Sequence, residues 1–146
     1  MDLRVTFETP ATTERLAAVV QDLDTYPRWL GIVTRVEALA TPSGAPPASM
    51  VDLTGRVGPL ARSKRLRMVR TAHEDGRHSK FERAEDDGRQ HSPWVLEVRV
   101  EPAAEASRLH MDLHYGGGLF GPVLERVLRD EIDKAKPRLL ALLAEG

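Results

Sequence analysis

Two neighbouring stretches alternate strictly between apolar and polar positions. Trp94, Leu96, Val98 and Val100 interleave with Val95, Glu97, Arg99 and Glu101, and Leu109, Met111, Leu113 and Tyr115 interleave with His110, Asp112 and His114. A period of two makes each a strand with one apolar face and one wetted face. Such a sheet is stable only if another layer covers its apolar side. The N-terminus repeats the pattern, with Leu3, Val5 and Phe7 set against Arg4, Thr6 and Glu8 before Pro10 ends the strand.

A cover is written at the other end of the chain. Gly121-Pro122 places a proline in the first turn of a helix, and Leu124, Leu128, Ile132, Ala135, Leu139, Leu142 and Leu143 form an apolar stripe along it. Pro137 lies inside this pattern, so a kink between Asp133 and Pro137 is expected. A shorter helix precedes the second strand. Thr12 or Thr13 can cap it, Glu14 suits its first turn, and Leu16, Val19, Val20 and Leu23 recur at helical spacing.

The run Asp22-Leu23-Asp24-Thr25-Tyr26-Pro27-Arg28-Trp29 follows directly. Pro27 fixes its own φ and biases Tyr26 away from the helical region, which makes a short, stiff aromatic corner suited to closing one end of a pocket. Strand patterns resume from Ile32 to about Leu39 and, after the loop TPSGAPPAS, at Val51, Leu53 and Val57. Two hairpins follow. A two-residue turn at Asp87-Gly88 would set Arg83 opposite Ser92 and Phe81 opposite Trp94. Asp75-Gly76 joins the Leu66 and Met68 strand to the Phe81 strand, and a bulge there decides whether Val69 or Arg70 points inward.

Composition removes several function classes. With 146 residues, the chain is expected to be one domain, 1–146. The 21 basic and 22 acidic residues leave no excess charge to neutralise phosphates, so no nucleic-acid partner is expected. There is no cysteine, which rules out disulfides, thiolate metal sites and a cysteine nucleophile. MDLRVTFETP reads as a strand rather than a leader, and no apolar run reaches membrane-spanning length, so a cytoplasmic location is expected.

The element order, the Asp22 to Trp29 corner, the Ser92-Pro93-Trp94 strand start and the passage from Tyr115-Gly116-Gly117-Gly118 to Gly121-Pro122 together resemble the polyketide cyclase/dehydrase and lipid-transport family. That family belongs to the START-like, birch-pollen-allergen-like superfamily. The resemblance implies an α+β helix-grip fold. A curved antiparallel sheet of about seven strands would wrap around the long C-terminal helix, with two short helices between the first two strands and an apolar cavity inside.

Residues on the inward faces are then the candidate cavity walls: Trp29, Phe81, Trp94, Met111, Leu113 and Tyr115 from the corner and sheet, with Leu124 and Leu128 from the helix. Two charged residues break the inward pattern. Glu131 falls within the helix stripe, at about 100° per residue, and Arg83 falls on the sheet face beside Phe81. Buried charges are costly unless paired, so an Arg83 to Glu131 ion pair is expected as a polar anchor in the cavity. Gly116, Gly117 and Gly118, with Leu119 and Phe120, read as a gate at the cavity mouth.

No metal or cofactor is expected. His110, Asp112 and His114 resemble a metal triplet, but at strand spacing they stand about 7 Å apart on a wetted face. His73, His78 and His91 sit near turns, and no nucleophile elbow or phosphate loop is present. The leading expectation is a binder or carrier of a small hydrophobic molecule such as a lipid, quinone or polyketide-like aromatic. The alternatives are an aromatase/cyclase using Arg83, Tyr115 and Glu131, and an interaction module using the outer sheet face or the Trp29 corner.

Overall fold

A computed structural model describes residues 1–117 and 121–145, with Val57, Leu60, Gly121 and Pro122 described in their backbone alone. Seven strands form one antiparallel sheet: β1 (Asp2–Thr9), β2 (Val33–Ala38), β3 (Ala48–Val57), β4 (Leu60–Glu74), β5 (His78–Arg83), β6 (Trp94–Ala103) and β7 (Ala106–Tyr115). Their order across the sheet is β1-β7-β6-β5-β4-β3-β2, so β1 and β2 lie on opposite edges. Helix α1 (Thr13–Val20) and a 3-10 segment (Leu23–Arg28) connect those edges, and α2 (Gly121–Ala144) supplies the cover.

The alternation sets the register. Leu3, Val5 and Phe7 pair with Leu113, Met111 and Leu109 of β7, which pair in turn with Leu96, Val98 and Val100 of β6. These rows make the concave face, against which Leu128, Ile132, Ala135, Leu139, Leu142 and Leu143 of α2 are buried. α2 continues past Pro137 to Ala144.

Thr12 caps α1, its Oγ1 accepting from the Arg15 N–H at 3.1 Å. Arg15 in turn donates to the Leu142 carbonyl at 3.0 Å, which also accepts from the Glu145 N–H at 3.2 Å, and so ties α1 to the C-terminal turn of α2. Where α1 ends, Gln21 reaches across to the β4–β5 hairpin. Its Nε2 donates to the buried Ser79 hydroxyl at 2.9 Å, and its Oε1 accepts from the Gly76 N–H at 2.9 Å.

One register differs from expectation. Phe81 lies opposite Leu96 rather than Trp94. The Asp87-Gly88 pair is not a two-residue hairpin turn but part of a longer connection, residues 84–93. Glu85 holds this connection by accepting from the Arg67 N–H at 3.0 Å, and Asp87 by accepting from the Arg89 N–H at 3.0 Å. A slip of two residues preserves parity, so Phe81 and Trp94 still share the concave face.

The open register resolves at a bulge. Arg70 pairs with Phe81, but the next pair is Ala72 with Lys80, leaving Thr71 unpaired. Leu66, Met68 and Arg70 therefore face inward ahead of the bulge, and His73, opposite Ser79, faces inward beyond it.

The corner is the most heavily tied local structure. Asp22 accepts from the Asp24 N–H at 3.0 Å, Trp29 Nε1 donates to Thr25 Oγ1 at 3.3 Å, and the Tyr26 and Trp29 rings meet at 4.6 Å. The Tyr26 hydroxyl donates to the Val20 carbonyl at 2.6 Å. Tyr26→Phe leaves that buried carbonyl without its partner, so urea unfolding should show a loss of about 1–3 kcal/mol at unchanged m-value. An unmoved midpoint would mean the bond does not hold the corner.

Candidate functional site

Between the sheet and α2 lies a partly open space of about 70 Å³. Tyr26 and Leu30 of the corner close one side, with Val51 and Leu53 of β3 and Leu66 and Met68 of β4 beside them. Trp94 and Leu96 of β6 and Met111 and Leu113 of β7 form the floor, and Leu128 and Ile132 of α2 form the roof. The only hydroxyl among these walls belongs to Tyr26. Burial, with the Asp22 charge adding to it, pushes that phenol far above its ordinary range, so it stays a neutral donor committed to Val20.

Trp94, Met111, Leu113 and Leu128 thus touch the space directly, and the other expected wall residues stand elsewhere. Trp29 is fully buried one layer behind, against Tyr26. Tyr115, the cross-strand partner of Trp94, meets its ring at 4.6 Å in a tilted arrangement and does not itself line the space. Leu124 is half-buried away from the lining, and Phe81 lines a different pocket. Tyr26, Leu66 and Met68 were missed as walls. The alternation around Leu66 marked an inward strand face, but only the three-dimensional curl brings β3 and β4 over the same space.

The expected Arg83 to Glu131 pair does not form. The Arg83 side chain is only 7% exposed, and its Nε lies 2.9 Å from Glu85 Oε1. Its Nη1 donates to the Ser92 carbonyl at 3.2 Å, and its Nη2 lies 3.3 Å from His91 Nδ1. The chain folds back after β5 and delivers Glu85 two residues later, so the guanidinium is neutralised locally. Glu131 instead sits beside the corner. Its Oε2 and Arg138 Nη1 both crowd the space that a Cβ on Gly31 would take, and Lys134 Nζ lies 3.9 Å from its Oε1.

Gly116 and Gly117 are positions of close approach. A Cβ on Gly116 would overlap the Pro93 ring, and one on Gly117 would overlap the Tyr115 hydroxyl. The remainder of the expected gate, Gly118, Leu119 and Phe120, lies outside the described residues. On the convex face, His110 pairs with Glu101 at 2.9 Å, His114 with Asp2 at 2.8 Å and Asp112 with Arg4 at 2.7 Å. Each member of the apparent triplet has its own partner, and no metal-holding cluster occurs among the described residues.

The model of the polyketide cyclase/dehydrase and lipid transport family matches residues 1–143. The chain belongs to that family. A comparison with curated proteins finds no match. Among solved structures, this polyketide cyclase/dehydrase and lipid transport family member is similar to a START superfamily protein from Mycobacterium smegmatis, with TM-score 0.75, 15% identity, and coverage of 99% of this chain and 97% of that one. Human StAR-related lipid transfer protein 5 gives TM-score 0.71 at 14% identity over 99% of this chain and 76% of that one. The di-domain ARO/CYC StfQ from the steffimycin biosynthetic pathway gives TM-score 0.72 at 14% identity, over 99% of this chain and 51% of that one. At these identities the likeness establishes the helix-grip fold. No described helix of this family member is long and apolar enough to cross a membrane.

The Arg83–Glu85 pair has a pH signature. Burial pushes the Glu85 carboxyl up, but the Arg67 N–H, the Arg83 hydrogen bond and the Arg83 charge together outweigh it and hold the group below its ordinary 4.5. A depressed carboxyl contributes stability that is full above its unfolded value and is lost as pH falls through the folded one. Glu85→Gln should therefore lower the thermal midpoint at neutral pH, with the deficit shrinking as the pH drops below that ordinary value. A deficit independent of pH would show that charge pairing is not its cause.

Proposed function

We propose that this protein binds and carries a small hydrophobic molecule between the sheet and α2, without covalent chemistry. The observation that supports this most directly is the wall of the central space. It is built from all sides by aliphatic, aromatic and thioether groups, and its single hydroxyl is already spent. An apolar wall rewards burial of an apolar ligand at roughly 25 cal/mol per Å².

The cyclase reading asks for groups able to polarise carbonyls and move protons at the ligand. Arg83 is neutralised by Glu85, Glu131 stands near Gly31 and Lys134, and the Tyr115 hydroxyl lies against Gly117. None of the three lines the space.

At about 70 Å³ the space is about half the roughly 150 Å³ of an apolar cavity able to take up benzene. Binding therefore expands it. Met68 and Met111 suit that task, because an unbranched thioether side chain changes rotamer at low cost.

The test is titration of the purified protein with N-phenyl-1-naphthylamine, a neutral probe that brightens in apolar surroundings. Saturable binding near one equivalent is expected. Leu113→Phe, which fills the floor, should weaken it about ten-fold or more for at most 1–3 kcal/mol of stability. Absence of binding to the wild-type protein, together with organic extracts free of any stoichiometric ligand in mass spectrometry, would overturn the carrier reading.

A further inference from the structure

A second pocket, of about 260 Å³, opens beside the first where the β2–β3 loop, the start of the corner and the inner face of β3 to β5 meet. Leu23 and Met68 line both spaces, so the two adjoin at these side chains. The second differs in chemistry. Arg70, Ser49, Thr41, Asp22 and Asp24 all line it, with Phe81 at its back.

Arg70 owes its place to the bulge at Thr71, which keeps it on the concave face opposite Phe81. Five arginines are half-buried: Arg15, Arg67, Arg70, Arg83 and Arg108. Four have side-chain partners. Arg15 donates to the Leu142 carbonyl, Arg67 to the Ala84 carbonyl, Arg83 to Glu85, and Arg108 to both Glu8 and Glu101. The Arg70 guanidinium alone makes no hydrogen bond or ion pair among the described residues; its strand position is held by its backbone N–H, which donates to the Pro47 carbonyl at 3.0 Å. The guanidinium thus stands half-buried at the pocket wall with five N–H donors that no described protein group takes up.

We propose that this pocket is an anion subsite, in which Arg70 receives the single negatively charged oxyanion head of an amphipathic ligand whose apolar body lies beyond Leu23 and Met68. A guanidinium matches a carboxylate through two parallel N–H···O bonds. Asp22 and Asp24 set the limit on charge. Both are exposed, so water screens them, and Asp22 is partly committed to the Asp24 N–H. They tolerate one negative charge at Arg70 and repel a second, which selects a carboxylate over a doubly charged phosphate.

This inference rests on the carrier reading, and the test separates the two. Displacement of N-phenyl-1-naphthylamine is measured with dodecanoate and with 1-dodecanol, which share a chain and differ in the head. The wild-type protein should prefer dodecanoate about ten-fold, the scale of one charge-assisted contact. Arg70→Met should bring the ratio close to one, Asp24→Asn should raise it, and Arg99→Met, on the convex face, should leave it as in the wild type. A wild-type preference for dodecanol, or a ratio unchanged by Arg70→Met, would overturn the subsite while leaving the carrier reading intact. Failure of the wild-type protein to bind the naphthylamine overturns both.

Discussion

The buried Tyr26 hydroxyl, donating to the Val20 carbonyl, is the contact on which the cavity depends. α1 ends at Val20, and the chain must turn there to reach β2 on the far edge of the sheet. A helix end carries carbonyls without intrahelical partners, and one buried without compensation would cost about 1–3 kcal/mol. Tyr26 settles that cost and at the same time puts its ring on the cavity wall. Trp29 packs behind it, and Gly31 then lets Glu131 and Arg138 of α2 come close. One phenol therefore sets the end of a helix, the wall of a pocket and the approach of the covering helix.

The polar residues divide into two groups by how completely their bonding capacity is used. Inside the fold, Thr9 and Ser107 pair at 2.6 Å, and Ser79 bonds to both Gln21 and His73. On the rim, Arg83 and Glu85 form a local pair that ties the β5–β6 connection to β4 through the Arg67 N–H. These groups hold structure and have nothing left to offer a ligand. Two groups beside the pockets stand apart: the Trp94 Nε1–H, buried on the wall of the first space without a partner, and the Arg70 guanidinium at the second. The other four half-buried guanidiniums each reach at least one protein acceptor, and Arg70 reaches none among the described residues.

The fold was legible because parity in a one-sided sheet is robust. Alternation at residues 3–7, 94–100 and 109–115 placed the correct side chains inward, and the slip of two residues between β5 and β6 left that result unchanged. The site was less legible, for reasons of scale. Whether Arg70 or Val69 faces inward turns on one unpaired residue, Thr71, and no propensity marks a bulge at that position. The Arg83 to Glu131 expectation had each residue near the right layer but could not foresee that residues 84–93 fold back and bring Glu85 first. Local chain return competes with long-range pairing at a much lower entropic cost, and it wins here.

The volumes carry the remaining argument. The apolar space is small, is bounded by two methionines and shares Leu23 and Met68 with a larger pocket of mixed character. These two side chains line both, so the apolar space adjoins the pocket that holds Arg70. A ligand that fills both has to combine an apolar body with a polar head, because either half alone leaves one compartment unmatched. The small volume then has a physical rationale. On the proposed carrier reading, the apolar walls lie close together while the space is empty, which keeps little apolar surface in water, and the binding free energy of a matched ligand would offset their separation.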